Sequence, residues 1–226
     1  MTCKSRIFFA LFLFVIVSTL LGKVSSDDQL STIMDSIRQR YGEATGLNAE
    51  YTREAISKTM VALGVTERHD VAQGRLYFKS PHSLRLEQVS PQEELLLTDG
   101  ETLWWYIPEK KEAYKYSAEK FGKELRLLGE VLRGLKGSRD NFLIDLTQDT
   151  KTKTQQLILR PEPPWQDIDH LEVVLGQGDL VISEVKIYNS IGGLTRFFLS
   201  DWQENVPLHE ASFTFSPPPG IEIIEK

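Results

Sequence analysis

Apolar residues fall along this 226-residue chain in three rhythms. The first is an apolar run from Ile7 to Leu21, interrupted only by Ser18 and Thr19 and preceded by Lys4 and Arg6. The second is helical. Between Asp27 and Tyr41, Leu30, Ile33, Met34, Ile37 and Tyr41 recur at the spacing of one helix face, and Gly42 and Gly46 end the pattern. The third is alternation. From Leu47 to Ser117 short apolar-polar runs are punctuated by Gly64, Pro81, Pro91, Gly100 and Pro108, which predicts strands joined by tight turns. Helical spacing returns at Phe121, Leu125, Leu128 and Leu132, with Lys, Glu and Arg between them, and Gly134 and Gly137 close it. Strand patterns then resume as FLIDLTQD, TQQLILRP, IDHLEVVLG, DLVISEVKIYN, LTRFFLSDWQ and SFTFSPP, with hairpin turns at Gly176–Asp179 and Asn189–Gly193.

The segment Thr98–Tyr116 carries the most information. Asp99-Gly100 lies between two apolar runs, and Gly takes positive φ without penalty, so a hairpin turn is expected there. The strand leaving it holds Trp104, Trp105 and Tyr106 in succession. Side chains alternate faces along a strand, so large aromatic groups point both ways. One face can be ordinary core. The other must be covered, or it offers a surface to something apolar.

These patterns predict one α+β domain that is mainly antiparallel β. Each of the two helices has one apolar stripe, while the sheet presents a long continuous apolar face. Two stripes can lid a half-closed barrel. The pattern alone does not choose between a filled barrel and one that keeps a concave apolar cavity under its helices.

The amino terminus bears on the compartment. The apolar run is about 15 residues, short of the roughly 20 a spanning helix needs, and Val24 and Ser26 suit a signal-peptidase site. Residues 1–26 therefore read as a cleavable secretory signal and 27–226 as a single domain. Loss of Lys4, Arg6 and Lys23, with no acidic residue before Asp27, takes the net charge from −6 to −9. The only cysteine, Cys3, leaves with the signal, so no disulfide framework and no lipid-bearing cysteine are expected. An acidic domain without clustered Lys or Arg does not suit nucleic acid.

Catalytic chemistry finds no foothold. His69, His82, His170 and His209 show no metal-ligand spacing, no G-x-S-x-G elbow is present, and Gly176-Gln-Gly-Asp179 lacks the helix and Lys of a phosphate loop. No metal, cofactor or turnover is expected, although residues that converge only in space would escape this reading.

Four segments occur in order: NAEYTREA at the first strand, GRLYFKSPHSLRLE, the DG turn followed by LWWYIP, and FTFSPPPGIEII near the end. Together they resemble the periplasmic outer-membrane lipoprotein carrier family, the LolA type. The resemblance covers nearly all of 27–226. It implies an unclosed β-barrel of about eleven strands capped by helices around an apolar cavity. It further implies a non-enzymatic, monomeric chaperone in the periplasm of a Gram-negative bacterium. Such a carrier takes lipoprotein acyl chains from an inner-membrane ATP-driven exporter and delivers them to an outer-membrane acceptor. Under that reading the acyl-chain-binding residues are Leu76, Phe78, Leu84, Leu86, Trp104, Tyr106, Phe121, Leu125, Leu128, Val185, Ile187, Phe197 and Leu199, with Trp104 and Tyr106 assigned to the inner face. Each one taken singly is more often plain core, and only the set under a helical lid points to a pocket. The lid and partner loop would be Lys79, Ser80 and Pro81. Here the sequence departs from the family, which has Arg before this Pro and Phe three residues after it; this chain has Ser80 and Leu84. Lys79 lacks the forked donors of Arg, so lid control or docking is expected to differ. A lipid- or lipoprotein-sensing module of the same fold, or a lipid-acting enzyme, are the alternatives.

Overall fold

The structure, a computed structural model, describes residues 26–62, 70–121 and 123–226. Residues 1–25 of the expected signal, with Cys3, and also Gly64 and His69, lie outside the described residues. Helix α1 (Ser26–Ile37) runs into a π-helical turn, Arg38–Gly42. Strand β1 (Leu47–Ile56) and a short α2 (Lys58–Ala62) follow. Next come β2 (Val71–Lys79), β3 (Ser83–Ser90), β4 (Glu94–Thr98), β5 (Thr102–Ile107) and β6 (Glu112–Ser117). The helical insert is α3 (Ala118–Phe121) and α4 (Lys123–Leu132). The rest is β7 (Phe142–Gln148), β8 (Gln155–Pro161), β9 (Ile168–Leu175), β10 (Ile182–Asn189), β11 (Leu194–Glu204) and β12 (Glu222–Glu225).

These twelve strands make one sheet in the order β12-β6-β5-β4-β3-β2-β1-β11-β10-β9-β8-β7. Long β1 is the spine: Tyr51 sits opposite Gly74 of β2 and Leu199 of β11. Every pairing is antiparallel except the last, where β12 joins β6 in parallel. The ends, β12 and β7, do not pair with each other, so the barrel is unclosed. It has twelve strands rather than about eleven, because Ile223 and Ile224 form an edge strand.

Cross-strand partners share a face, so the register separates inside from outside. Leu86 faces Leu76, Leu84 faces Phe78, and Val185 faces both Phe197 and Val173. These side chains make one buried core with two helical plugs. Ile33, Met34, Ile37 and Tyr41 enter from the first helical segment, and Leu127, Leu128, Val131 and Leu132 from α4. Tyr41 also has a polar task. Its hydroxyl accepts the Ile182 N–H at 2.8 Å, while Trp202 Nε1 donates to the Ile182 carbonyl at 2.8 Å, and the two rings meet edge-on at 5.1 Å. Burial pushes the Tyr41 phenol up to about 12.

The two plugs meet backbone to backbone. Helix α4 ends in a Schellman motif: Gly134 N–H reaches the Val131 carbonyl and Leu135 N–H the Glu130 carbonyl, both at 3.0 Å, with Gly134 at φ 73°. A Cβ on Gly134 would stand 2.8 Å from Gly42 N and 2.9 Å from Arg38 Cα. One on Gly42 would stand 2.9 Å from the Arg133 carbonyl oxygen. Glycine at both positions lets the helix ends touch.

Two expectations are corrected. Trp104 pairs with Leu97, which pairs with Arg85, and Tyr106 pairs with Leu95. That places Trp104 and Tyr106 on the outer face, opposite to Leu84 and Leu86. Leu103, Trp105 and Ile107 take the inner side. The outer aromatics are covered by the chain's own C-terminal segment, where Phe215 lies 4.9 Å from Trp104 and 5.5 Å from Tyr106. Second, SFTFSPP is not a strand. Glu210–Phe213 forms a 3-10 turn, and Pro217 to Pro219 offer no N–H to a ladder.

Candidate functional site

The helices fill the barrel unevenly. The C-terminal half of α4 is packed, with Leu127, Leu128, Val131 and Leu132 all fully buried. Its N-terminal half is not: Lys123 and Leu125 are only partly buried and Glu124 is exposed. Two voids lie there. One, of about 160 Å³, sits between α4 and the sheet, lined by Pro81, His82, Leu84, Thr98, Leu103, Leu125 and Gly129 among others. The other, of about 480 Å³, opens at the barrel rim and is lined by Arg53, Leu96, Leu103, Lys123, Leu125, Ile168, Ile191 and Phe197 among others. Leu103 and Leu125 line both, so one leucine of the helix and one of the sheet stand between the two spaces. A cavity of about 150 Å³ holds a benzene ring. The inner void alone therefore cannot hold a long acyl chain, and an interior that admits one must move α4.

Polar contacts pin the front of this helix. Lys123 Nζ pairs with an Asp167 carboxylate oxygen, and Thr195 Oγ1 donates to Glu124 Oε1 at 3.1 Å. Exposed pairs of this kind contribute little each, on the order of 0–1 kcal/mol. The front of α4 is thus tethered weakly and its rear is packed firmly.

The sequence-derived residues divide accordingly. Leu84, Leu125 and Phe197 line the two voids, and so does Pro81 of the loop. Leu76, Phe78, Leu86, Leu128, Val185 and Ile187 face the interior but are packed against the helices. Leu199 faces inward and also lines a groove that opens beside Phe198 and Val89. Phe121 closes α3, and its side chain lies outside the described residues. Ser80 is exposed at the turn, while Lys79 Nζ reaches Glu210 Oε1 at 3.6 Å, tying this loop to the C-terminal segment. Leu96, Leu103, Arg53 and Ile168 were not singled out from sequence. Alternation along β5 marks Leu103 as facing opposite to Trp104, but only the covering by Phe215 decides which of the two is inside.

Among the described residues no group of three or more His, Cys, Asp or Glu is placed to hold a metal. No described helix is long and apolar enough to cross a membrane.

Comparison with known proteins bears on this architecture. The profile of the family described as outer membrane lipoprotein carrier protein LolA matches residues 60–216, well over half of the chain. The chain belongs to this family. Among relatives of this LolA-family chain is an outer-membrane lipoprotein carrier protein from Pseudomonas paraeruginosa. It is 23% identical over 180 residues, covering 80% of this chain and 84% of the relative. Another protein of that description, from Psychromonas ingrahamii, is 25% identical over 217 residues, covering 92% and 96%. Among solved structures, an uncharacterized conserved protein from Thermus thermophilus superposes with a TM-score of 0.52. It is 11% identical and covers 88% of this chain and 99% of that one, a likeness of fold. In this member of the family, the half-filled barrel mouth beneath α4 is the candidate site.

Proposed function

We propose that this LolA-family chain is a non-enzymatic carrier of lipoprotein acyl chains in the periplasm of a Gram-negative bacterium. It would receive them from an inner-membrane ATP-driven exporter and pass them to an outer-membrane acceptor. Family membership and the carrier descriptions of its relatives support the cargo class. The observation that carries the reading is the pair of voids that Leu125 borders, the inner one mainly apolar and the rim one with apolar and polar walls, under a helix whose front is weakly tethered. Each methylene taken from water into such an interior gains roughly 0.8 kcal/mol, so long chains both need shielding and can drive α4 outward. Leu84, Leu125 and Phe197 make first contact. Leu76, Phe78, Leu86, Leu128, Val185 and Ile187 are exposed to cargo as the helix lifts, and the loop at Lys79, Ser80 and Pro81 borders the entrance.

The test is direct. Purified protein is mixed with a lipoprotein held in inner-membrane vesicles containing the host's exporter and ATP. Release of the lipoprotein in a soluble one-to-one complex is the expected outcome. A lipoprotein that stays with the vesicles, and a protein that binds no fluorescent fatty acid, would overturn the proposal.

A further inference from the structure

Arg53 is a partly buried charge at the barrel mouth, on a strand face that is otherwise apolar. It lies on the inner face of β1, opposite Ala72 on one side and Phe197 on the other, and both neighbours are buried. Its side chain lines the 480 Å³ void together with Leu96, Leu103, Leu125 and Phe197. Its Nε is buried and has no hydrogen-bond partner among the described residues. A terminal nitrogen approaches Asp70 Oδ1 at 3.5 Å, a loose pair with a carboxylate that is mostly in solvent. Other charges at this mouth are already engaged: Lys123 with Asp167, and Glu124 with Thr195. Among the described residues lining this void, Arg53 alone keeps a buried donor to spare. A buried donor without an acceptor is costly, so the site favours a ligand that brings one.

We infer that this void takes an acyl lipid with an anionic head, a carboxylate or a phosphate, seated on Arg53 with its chain running inward past Leu96, Leu103 and Phe197. The inference rests on the reading of the interior as an acyl-chain site. A guanidinium presents two parallel donors to a carboxylate or phosphate, and it does so most strongly where water is excluded. Asp70 is positioned to give way, because its exposed carboxylate is resolvated at little cost when the head arrives. Leu96, Leu103 and Phe197, the apolar part of the wall, discriminate against a head without a chain.

Competition against a bound fluorescent fatty acid tests this on the unaltered protein. Oleate should displace the probe at a concentration roughly tenfold below methyl oleate, about the effect of one charge-assisted pair. Lysophosphatidic acid set against the monoacylglycerol of the same chain, which has no phosphate, is the phosphate arm, and the arm with the larger ratio names the head. Arg53→Met should bring each acidic lipid to the level of its neutral counterpart, and Arg53→Lys should restore part of the preference. Equal displacement by acidic and neutral lipids in the unaltered protein overturns this inference and leaves the carrier reading intact. A preference that survives Arg53→Met also overturns it. Displacement by none of the lipids overturns both.

Discussion

At the scale of single residues, Tyr41 and Tyr51 show what burial of a polar group does. Burial pushes both phenols up, from the ordinary 10.0 to about 12. The unfolded chain releases these protons near pH 10.0 and the folded chain near 12. Between those values the native state holds protons that the unfolded state has lost, so stability is complete below the lower value and falls as pH rises through the window. Melting temperature followed from about pH 9 to about pH 12 should therefore drop, and Tyr51→Phe should remove part of the drop. The two sites differ at neutral pH. Tyr41→Phe strips the acceptor from the buried Ile182 N–H and should cost about 1–3 kcal/mol in denaturant titration, whereas Tyr51→Phe should be near neutral. The place of Tyr41 on a buried helix face was legible in its spacing from Ile33 and Ile37. Its hydrogen bond was not, because Ile182 is 141 residues away.

At the scale of elements, α4 combines two tasks along its ten residues. The recurrence of Leu125, Leu128 and Leu132 made the helix legible, and the periodicity treats all three leucines alike. Packing separates them: Leu128 is fully buried in the core, while Leu125 borders both voids. Leu128→Ala should thus cost about 2–5 kcal/mol of stability. Leu125→Glu should lower affinity for a fluorescent fatty acid about tenfold or more while leaving the unfolding midpoint nearly unchanged. Parallel titrations of binding and unfolding decide it; a Leu125→Glu variant that binds normally would remove this leucine from the entrance. Strand β5 teaches the converse. Three consecutive aromatics satisfy alternation with either face inward, and the local pattern holds nothing to choose between them. The choice was made by Phe215, more than a hundred residues further on, which covers Trp104 and Tyr106 from outside.

At the scale of the molecule, the sheet and its plugs should respond differently to cargo. Antiparallel hairpins and the two helical segments followed from local spacing, so the fold class was legible. The parallel return of β12 to β6 was not, since a four-residue edge strand carries no periodic signal. On binding an acyl chain, amide exchange should quicken in α4 and in the first helical segment and stay slow in β9 to β11, which hydrogen exchange with and without fatty acid would show. The glycine contact between the ends of the two plugs sets how that opening proceeds. With Gly134 against Gly42 and no side chain between them, the two plug ends are in backbone contact, so displacement of α4 should carry the first helical segment with it. The interior then has two capacities rather than a continuous range. Fatty acids short enough for the existing rim void should gain affinity steadily with each added carbon. Beyond a threshold length the curve should break, because the next carbon requires the whole double plug to move at once. Gly134→Ala, which forces the two backbones apart, should blunt that break, and the protein would then measure chain length by degrees instead of by a single step.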